Sequence, residues 1–432
     1  MLLSTLLMSA LLVQDSIEWS ERELKIINSL SPSLDGVALP SSPSNRFADD
    51  PGAAALGQKL FFASSLSPSG TISCASCHDP EIGWGDGLPV SRGAGENIFN
   101  APTVLNSAHG RWKFWDGRSD SLWSQALQPI EGEVEMNSSR TFVLHEIVND
   151  SDLSSGWEAV FGDLPSKEEM EGIPANACPQ EVSPANPFAD PITPSSDPRH
   201  QAWLDMEVAD QQMVSGYFAK FGKAIEAYER RLIPGPSSFD YWSADLRGEE
   251  PVAEYDFGNS EQRGLKFFIG AGQCLSCHFG PMLTDGEFHN VGLSLPEGSE
   301  LPDEGRPDGI RKLRISPFNG RGTFSDAQDW DSNQHLLYMF YNEHTFGAYK
   351  TPSLRNVSRT APYGHDGRFP DLRSVLEFYS ELPGLPPIGH REETLLPLLL
   401  GEEEMDDLLA FLMSLEGAPI PAPLRTLAAP ER

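Results

Sequence analysis

Two pentapeptides, Cys74-Ala75-Ser76-Cys77-His78 and Cys274-Leu275-Ser276-Cys277-His278, take four of the chain's five cysteines. The Cys-x-x-Cys-His pattern has three chemical readings. A zinc site needs two such pairs, or one pair and two histidines, brought together as four ligands. A thioredoxin-like redox pair wants a preceding strand and has no use for the adjacent histidine. A c-type haem needs two thiols one helical turn apart to bond its two vinyl groups, and an imidazole next to them to reach the iron. Chance produces the pattern in roughly one chain in a thousand at this cysteine and histidine content, so two copies are not chance. The sequence therefore predicts two covalently bound haem c groups, with a four-thiolate zinc site as the surviving alternative.

The haem reading also sets the compartment, because haem c is attached outside the cytoplasm. Residues 1–13 form an apolar run too short to span a bilayer, of the length of an export-signal core, although a basic flank and a clear cleavage site are missing. The expectation is a periplasmic protein, with residues 1–15 as signal and no membrane insertion. A formal net charge of -32 leaves no basic footprint for phosphates, which argues against nucleic acid and suits a basic protein partner.

Each motif follows a similar phrase: Leu56 to Phe62 before the first, Gly264 to Phe268 before the second. That is an internal repeat of one unit, a helix leading into a haem loop. Between the copies, Val214, Phe218, Phe221, Ile225, Tyr228 and Leu232 mark one apolar helical face, stopped by Pro234-Gly235-Pro236. Leu408, Phe411, Leu412 and Leu415 form a second stripe, suited to covering the second haem. No alternating strand pattern of any length occurs. The predicted fold is mainly α, with two cytochrome c-like haem domains. The expected divisions are 16–47 as an N-terminal extension, 48–245 as the first domain, 246–417 as the second and 418–432 as a tail. A proline-rich stretch, about 163–200, reads as an irregular surface insertion, and Cys178 within it as a surface thiol.

Several phrases, in order, carry a specific likeness: "LGQKLFFASSLSPSGTISCASCHDP", "NAPTVLN", "FWDGRSDSL", "PIEGEVEM", "GQCLSCHFGPMLTDGEFHNVG" and "YKTPSLRNVSRTAPYGHDGRF". Over residues 48 to 415, apart from the proline-rich stretch, the chain resembles the bacterial di-haem cytochrome c peroxidases and their MauG relatives. The resemblance implies that one haem meets peroxide while the other accepts and relays electrons. It places Glu135 as the distal carboxylate, with Gln125 and Pro129 as companions, and Trp115 between the haems. His78 and His278 become the proximal ligands, beside the haem-bonding Cys74, Cys77, Cys274 and Cys277. Many family peroxidases carry a second histidine where Ala94 stands, so the resemblance implies an open first iron.

For the second iron, Leu372, Val375, Leu376 and Tyr379 share one helical face. Tyr379 falls where family peroxidases place a methionine and MauG-type proteins a tyrosine. Met282 and His289 stay open as alternatives. The family's interdomain calcium would take Asn100, Thr360 and Pro362.

Two functions remain in view. One is a peroxidase of the cytochrome-c type, reducing hydrogen peroxide with electrons from a small cytochrome c or cupredoxin. The other is a MauG-like oxidase acting on a protein substrate, which Ala94 and Tyr379 favour. Gly272 stands where MauG offers an aromatic residue and argues against it. A simple electron carrier would want both irons saturated, which Gln125 and Glu135 oppose. The sequence is compatible with a homodimer.

Overall fold

In a computed structural model, residues 17–31, 33–179, 197–250, 253–293, 303–327 and 332–427 are described; the expected signal at 1–15 and the middle of the proline-rich stretch lie outside them. Two helix pairs organise the molecule. Helix α1 (Pro51–Phe62) starts at the Asp50 cap, whose carboxylate accepts from the Ala53 amide, with Pro51 at the first turn. It crosses the long helix α2 (Val208–Glu229). Helix α3 (Asn259–Ile269) crosses α5 (Glu402–Met413), which opens on three glutamates at its positive end. Between them in sequence, α4 (Leu372–Glu381) is capped by Asp371.

The two crossings are built alike. A Cβ on Gly57 would lie 1.9 Å from the Ala224 carbonyl oxygen, and one on Gly264 would lie 2.0 Å from that of Asp407. Both glycines let one helix backbone rest on another, and each opens the phrase that precedes a cysteine motif. One core gathers Leu56, Leu60, Phe61, Phe218, Phe221 and Tyr228; the other gathers Leu265, Phe268, Leu372, Leu376, Phe411 and Leu412. The apolar stripes expected on α2 and α5 are buried there, apart from Val214, which is buried in a smaller third cluster.

The repeat extends through the loops. Asn106 and Asn356 both take left-handed φ (57° and 61°) and open short 3-10 turns; their amides donate to the Leu232 and Leu415 carbonyls. An isolated bridge closes Lys113 on Ser119 in one half and Tyr363 on Phe369 in the other. The tips of the two residues do one job: Lys113 Nζ donates to Ser107 O at 2.5 Å, and Tyr363 Oη to Val357 O at 2.6 Å.

Four expectations need correction. The N-terminal extension is part of the second packing unit, since Glu21–Leu30 is a helix whose Ile27 and Leu30 enter the second core. The segment after 417 packs back on the first half, where Ile420 is buried and Tyr228 Oη donates to Leu424 O. Phe239 and Trp242 belong to the second core, so packing changes hands before residue 245. Cys178 is buried, its amide donating to Arg199 O, and its neighbour Ala177 joins Met170, Ile173 and Trp203 in a small third core, so the flanks of the proline-rich stretch are packed rather than on the surface. Burial pushes its thiol up to about 12. The periodicity argument marked Val214 of this core, on α2, and missed members such as Met170, Ile173, Ala177 and Trp203, which come from segments too short to show a period.

Among the described residues the sheet is limited to β1 (Phe288–His289) paired antiparallel with β2 (Tyr349–Lys350), and no helix is long and apolar enough to cross a membrane.

Gly57→Ala forces backbone apart at the α1–α2 crossing and should cost about 1–3 kcal/mol, the range for overpacking. Gly216→Ala, inside α2 with nothing closer than 4.0 Å, should instead stabilise by about 0.5–1 kcal/mol through helix propensity. Denaturant midpoints of the two variants moving in the same direction would contradict this packing.

Candidate active site

Each motif folds as a single helical turn, Cys74–Cys77 and Cys274–Ser276, which puts the two thiols on one side. All four thiols are free of disulfides. A left-handed residue then swings a carbonyl under each histidine. Trp84 (φ 63°) places its oxygen 3.2 Å from His78 Nδ1, and Leu283 (φ 50°) places its own 2.8 Å from His278 Nδ1. A carbonyl only accepts, so Nδ1 carries the proton and Nε2 keeps its lone pair for a metal. Burial lowers both imidazoles, keeping them neutral, and pushes the Cys74 and Cys274 thiols up to about 12. By accessible surface these groups are only half-buried, while the atoms packed around them desolvate them strongly. A slot walled by protein produces that combination. Two inert thiols and a neutral, oriented imidazole fit a covalently attached haem at each motif, and they do not converge as zinc ligands within the described residues.

The halves differ beyond the motif. In the first, the helix after the Ser121 cap ends at Gln125, and a second short helix runs Gln128–Glu131. A tight turn follows, in which the Met136 amide donates to Pro129 O and the Glu135 amide to Gly132 O. The Ala94 amide donates to Glu135 O at 2.7 Å, so the loop of Ala94 and the turn of Glu135 are one unit. Asn97 Nδ2 lies 3.5 Å from Glu135 Oε1. The Cys77 thiol, raised mainly by burial, also feels the charges of Asp86 and Glu135, which puts this carboxylate at the first motif.

In the second half the matching helix runs on as α4. Counted from the paired caps Ser121 and Asp371, Tyr379 stands where Pro129 stands. Its phenol is held well above the usual range by burial and by the Cys277 and Cys274 sulfurs, so it lies at the second motif.

The alternatives fare differently. His289 Nε2 lies 2.8 Å from Asp285 Oδ2 and Nδ1 2.8 Å from Glu392 Oε2. Both ring nitrogens are committed to carboxylates, and His289 offers no lone pair to iron. The Asp285 bond first, then Cys277 and Glu392, raise its pKa to about 11. Met282 lines a separate cavity of about 280 Å³ with Asn106, His109 and Arg355.

Trp115 lies between the halves: its Nε1 donates to Asn100 O at 2.9 Å, and its carbonyl accepts from the Lys350 amide at 2.8 Å. The Asn100 amide donates to His365 O, which brings that loop against the segment holding Thr360 and Pro362. Asn100 Nδ2 donates to Leu88 O. The sequence reading passed over Trp84, Leu283, Tyr349 and His365. The first two act through backbone carbonyls, which no side-chain pattern reports. His365 could have been found, because in the repeat it matches Trp115.

A family model described as di-haem cytochrome c peroxidase matches residues 51–179. The cytochrome-c peroxidase IdrP1 of Denitromonas iodatirespirans is 30% identical over 378 residues, covering 85% of this chain and 83% of that protein. The chain belongs to the di-haem cytochrome c peroxidase family. The methylamine utilization protein MauG of Methylorubrum extorquens is also 30% identical, over 84% of this chain and 78% of its own length. The fold matches the diheme peroxidase BthA of Burkholderia thailandensis with a TM-score of 0.61 at 21% identity, covering 91% of this chain and 94% of that one. Membership in this family implies haem c as cofactor and a peroxidase-type oxidoreductase, with MauG-type relatives equally near.

The His289 clamp gives a pH signature. Its pKa is raised from the ordinary value near 6.5, so its stabilising contribution is complete below that value and lost as pH rises towards about 11. His289→Gln should therefore lower the unfolding midpoint at pH 6, with the deficit shrinking steadily above pH 7. A deficit that does not change with pH would mean the clamp is uncharged.

Proposed function

We propose that the chain is an exported, periplasmic di-haem peroxidase. In this reading it reduces hydrogen peroxide at the first haem with electrons from a small redox protein that enter at the second. The observation that carries the division of labour is the repeat itself: one structural position holds Pro129 in the first half and Tyr379 in the second. Proline has no group to offer a metal, and a phenol does.

Bound haem supplies an iron that takes up peroxide and accepts its oxidising equivalents. The chain's own residues do the rest. His78, oriented by Trp84 O, and His278, oriented by Leu283 O, would each offer Nε2 to a haem iron. Glu135, whose main-chain oxygen is held by the Ala94 amide, would carry a proton from one peroxide oxygen to the other, so that water can leave. Gln125 and Pro129 wall the same pocket. Trp115, bonded to Asn100 on one side and to β2 on the other, spans the halves as an electron relay. Asn100, Thr360 and Pro362 are the proposed oxygen ligands of a calcium ion that pins the two loops together.

Tyr379 as second ligand supports an additional reading. A phenolate favours the higher oxidation states of iron, which suits an enzyme of the MauG type that holds oxidising equivalents for a protein substrate.

The holoprotein with both irons ferric should react with peroxide directly, without prior reduction, as seen in its haem absorption. Ala94→His should slow that reaction by placing an imidazole beside Glu135. Glu135→Gln should slow it by about 10²–10⁴, the usual contribution of a positioned proton carrier, with both haems retained. A wild-type protein that ignores peroxide until half-reduced would refute this account of the first pocket.

A further inference from the structure

The surroundings of Tyr349 are not explained by packing alone. Its ring stacks on His365, with centroids 3.8 Å apart and planes 16° from parallel. Phe99 meets both rings edge-on or tilted, at 6.2 and 6.3 Å. The Asp303 carboxylate stands near the phenol and, after burial, is the largest influence that raises it. Asp303 is in turn fixed by the Gly305 amide at 2.6 Å.

The position is as telling as the contacts. On the sheet ladder Tyr349 stands directly opposite His289, whose ring nitrogen lies within 4.8 Å of the Cys277 sulfur. The next residue, Lys350, donates its amide to Trp115 O. On the other side His365 O accepts from the Asn100 amide, and Asn100 O accepts from Trp115 Nε1. Tyr349 and His365 thus occupy the junction between the second motif and the loops of the first half, beside Trp115.

A phenol is oxidised at a useful potential only if its proton leaves with the electron, since the radical cation is a strong acid. Burial, the first cause, and the nearby carboxylates hold the Tyr349 phenol well above its ordinary range. The ring therefore stays protonated until it is oxidised. Burial also raises Asp303, which makes its carboxylate the better proton acceptor. A core tyrosine needs neither a stacked imidazole nor a half-buried carboxylate beside it.

We propose that Tyr349 is a proton-coupled redox relay between the two haem sites. The inference rests on the peroxidase reading for its oxidant. Peroxide removes two electrons from the enzyme, and one of these vacancies is filled from the Tyr349 ring. The phenolic proton passes to the Asp303 carboxylate, leaving a neutral tyrosyl radical and a carboxylic acid. An electron from the donor protein and return of that proton restore the pair. Stacked His365 carries no net proton in this cycle and holds the ring in register with the Asn100–Trp115 path.

The test is electron paramagnetic resonance of the di-haem holoprotein, frozen after oxidation by two routes: hydrogen peroxide, and a flash-quenched ruthenium(III) complex that needs no peroxide chemistry. An organic radical should appear by both routes. It should narrow with ring-deuterated tyrosine, vanish in Tyr349→Phe, and form more slowly in Asp303→Asn with a larger solvent deuterium effect. Tyr349→Phe keeps the ring and the stack, and its haem absorption reports that the site is intact. If peroxide shifts the haem spectra but the radical persists in Tyr349→Phe, or follows deuterated tryptophan, the relay is overturned and the peroxidase reading stands. If peroxide leaves the haems unchanged while the ruthenium route gives a radical lost in Tyr349→Phe, the peroxidase reading fails and the redox tyrosine stands. Absence of a Tyr349-dependent radical by both routes overturns the relay.

Discussion

The structure depends on a hydrogen bond made twice, from histidine Nδ1 to a main-chain carbonyl. Each needs a left-handed residue, Trp84 or Leu283, to turn the oxygen under the imidazole. Neither residue is glycine, so a backbone cost of roughly 1–3 kcal/mol is accepted at two places to fix one tautomer. Once Nδ1 is committed, Nε2 can only be an acceptor, and the direction of the metal follows. The helix crossings at Gly57 and Gly264 then set the walls of each slot.

The proposed function rests on how two copies of one unit diverge. After matched caps, the first half breaks its helix before Pro129 and turns back to present Glu135; the second continues α4 to Tyr379. The loop of Ala94 is stitched to the Glu135 turn by main-chain bonds, so a small residue at 94 leaves the pocket shape to the backbone. Lys113 and Tyr363 show the same divergence, an ammonium and a phenol capping equivalent carbonyls.

Much of this could be read from the residues. The paired motifs marked the two helical turns that carry an oriented imidazole, the repeat phrases foreshadowed two alike helix crossings, and the stripes on α2 and α5 marked buried faces. What stayed hidden is non-local. Nothing local to residues 21–30 says that Ile27 and Leu30 complete the second core, because their partners lie more than two hundred residues away. Nor could Cys178 be recognised as buried, since its amide is bonded to Arg199 O across the proline-rich stretch. His289 looked like a ligand by type and position; only the geometry shows two carboxylates holding both its nitrogens. The Tyr349–His365 stack likewise joins residues whose significance appears only across the junction of the halves.

The central claim is that one slot leaves its iron open while the other closes it with a phenol. Electron paramagnetic resonance of the resting, all-ferric holoprotein tests this most directly. The account predicts one high-spin haem, from the His78 slot, and one low-spin haem whose signal changes in Tyr379→Phe while the first does not. Two low-spin haems, or a second signal indifferent to Tyr379→Phe, would contradict it.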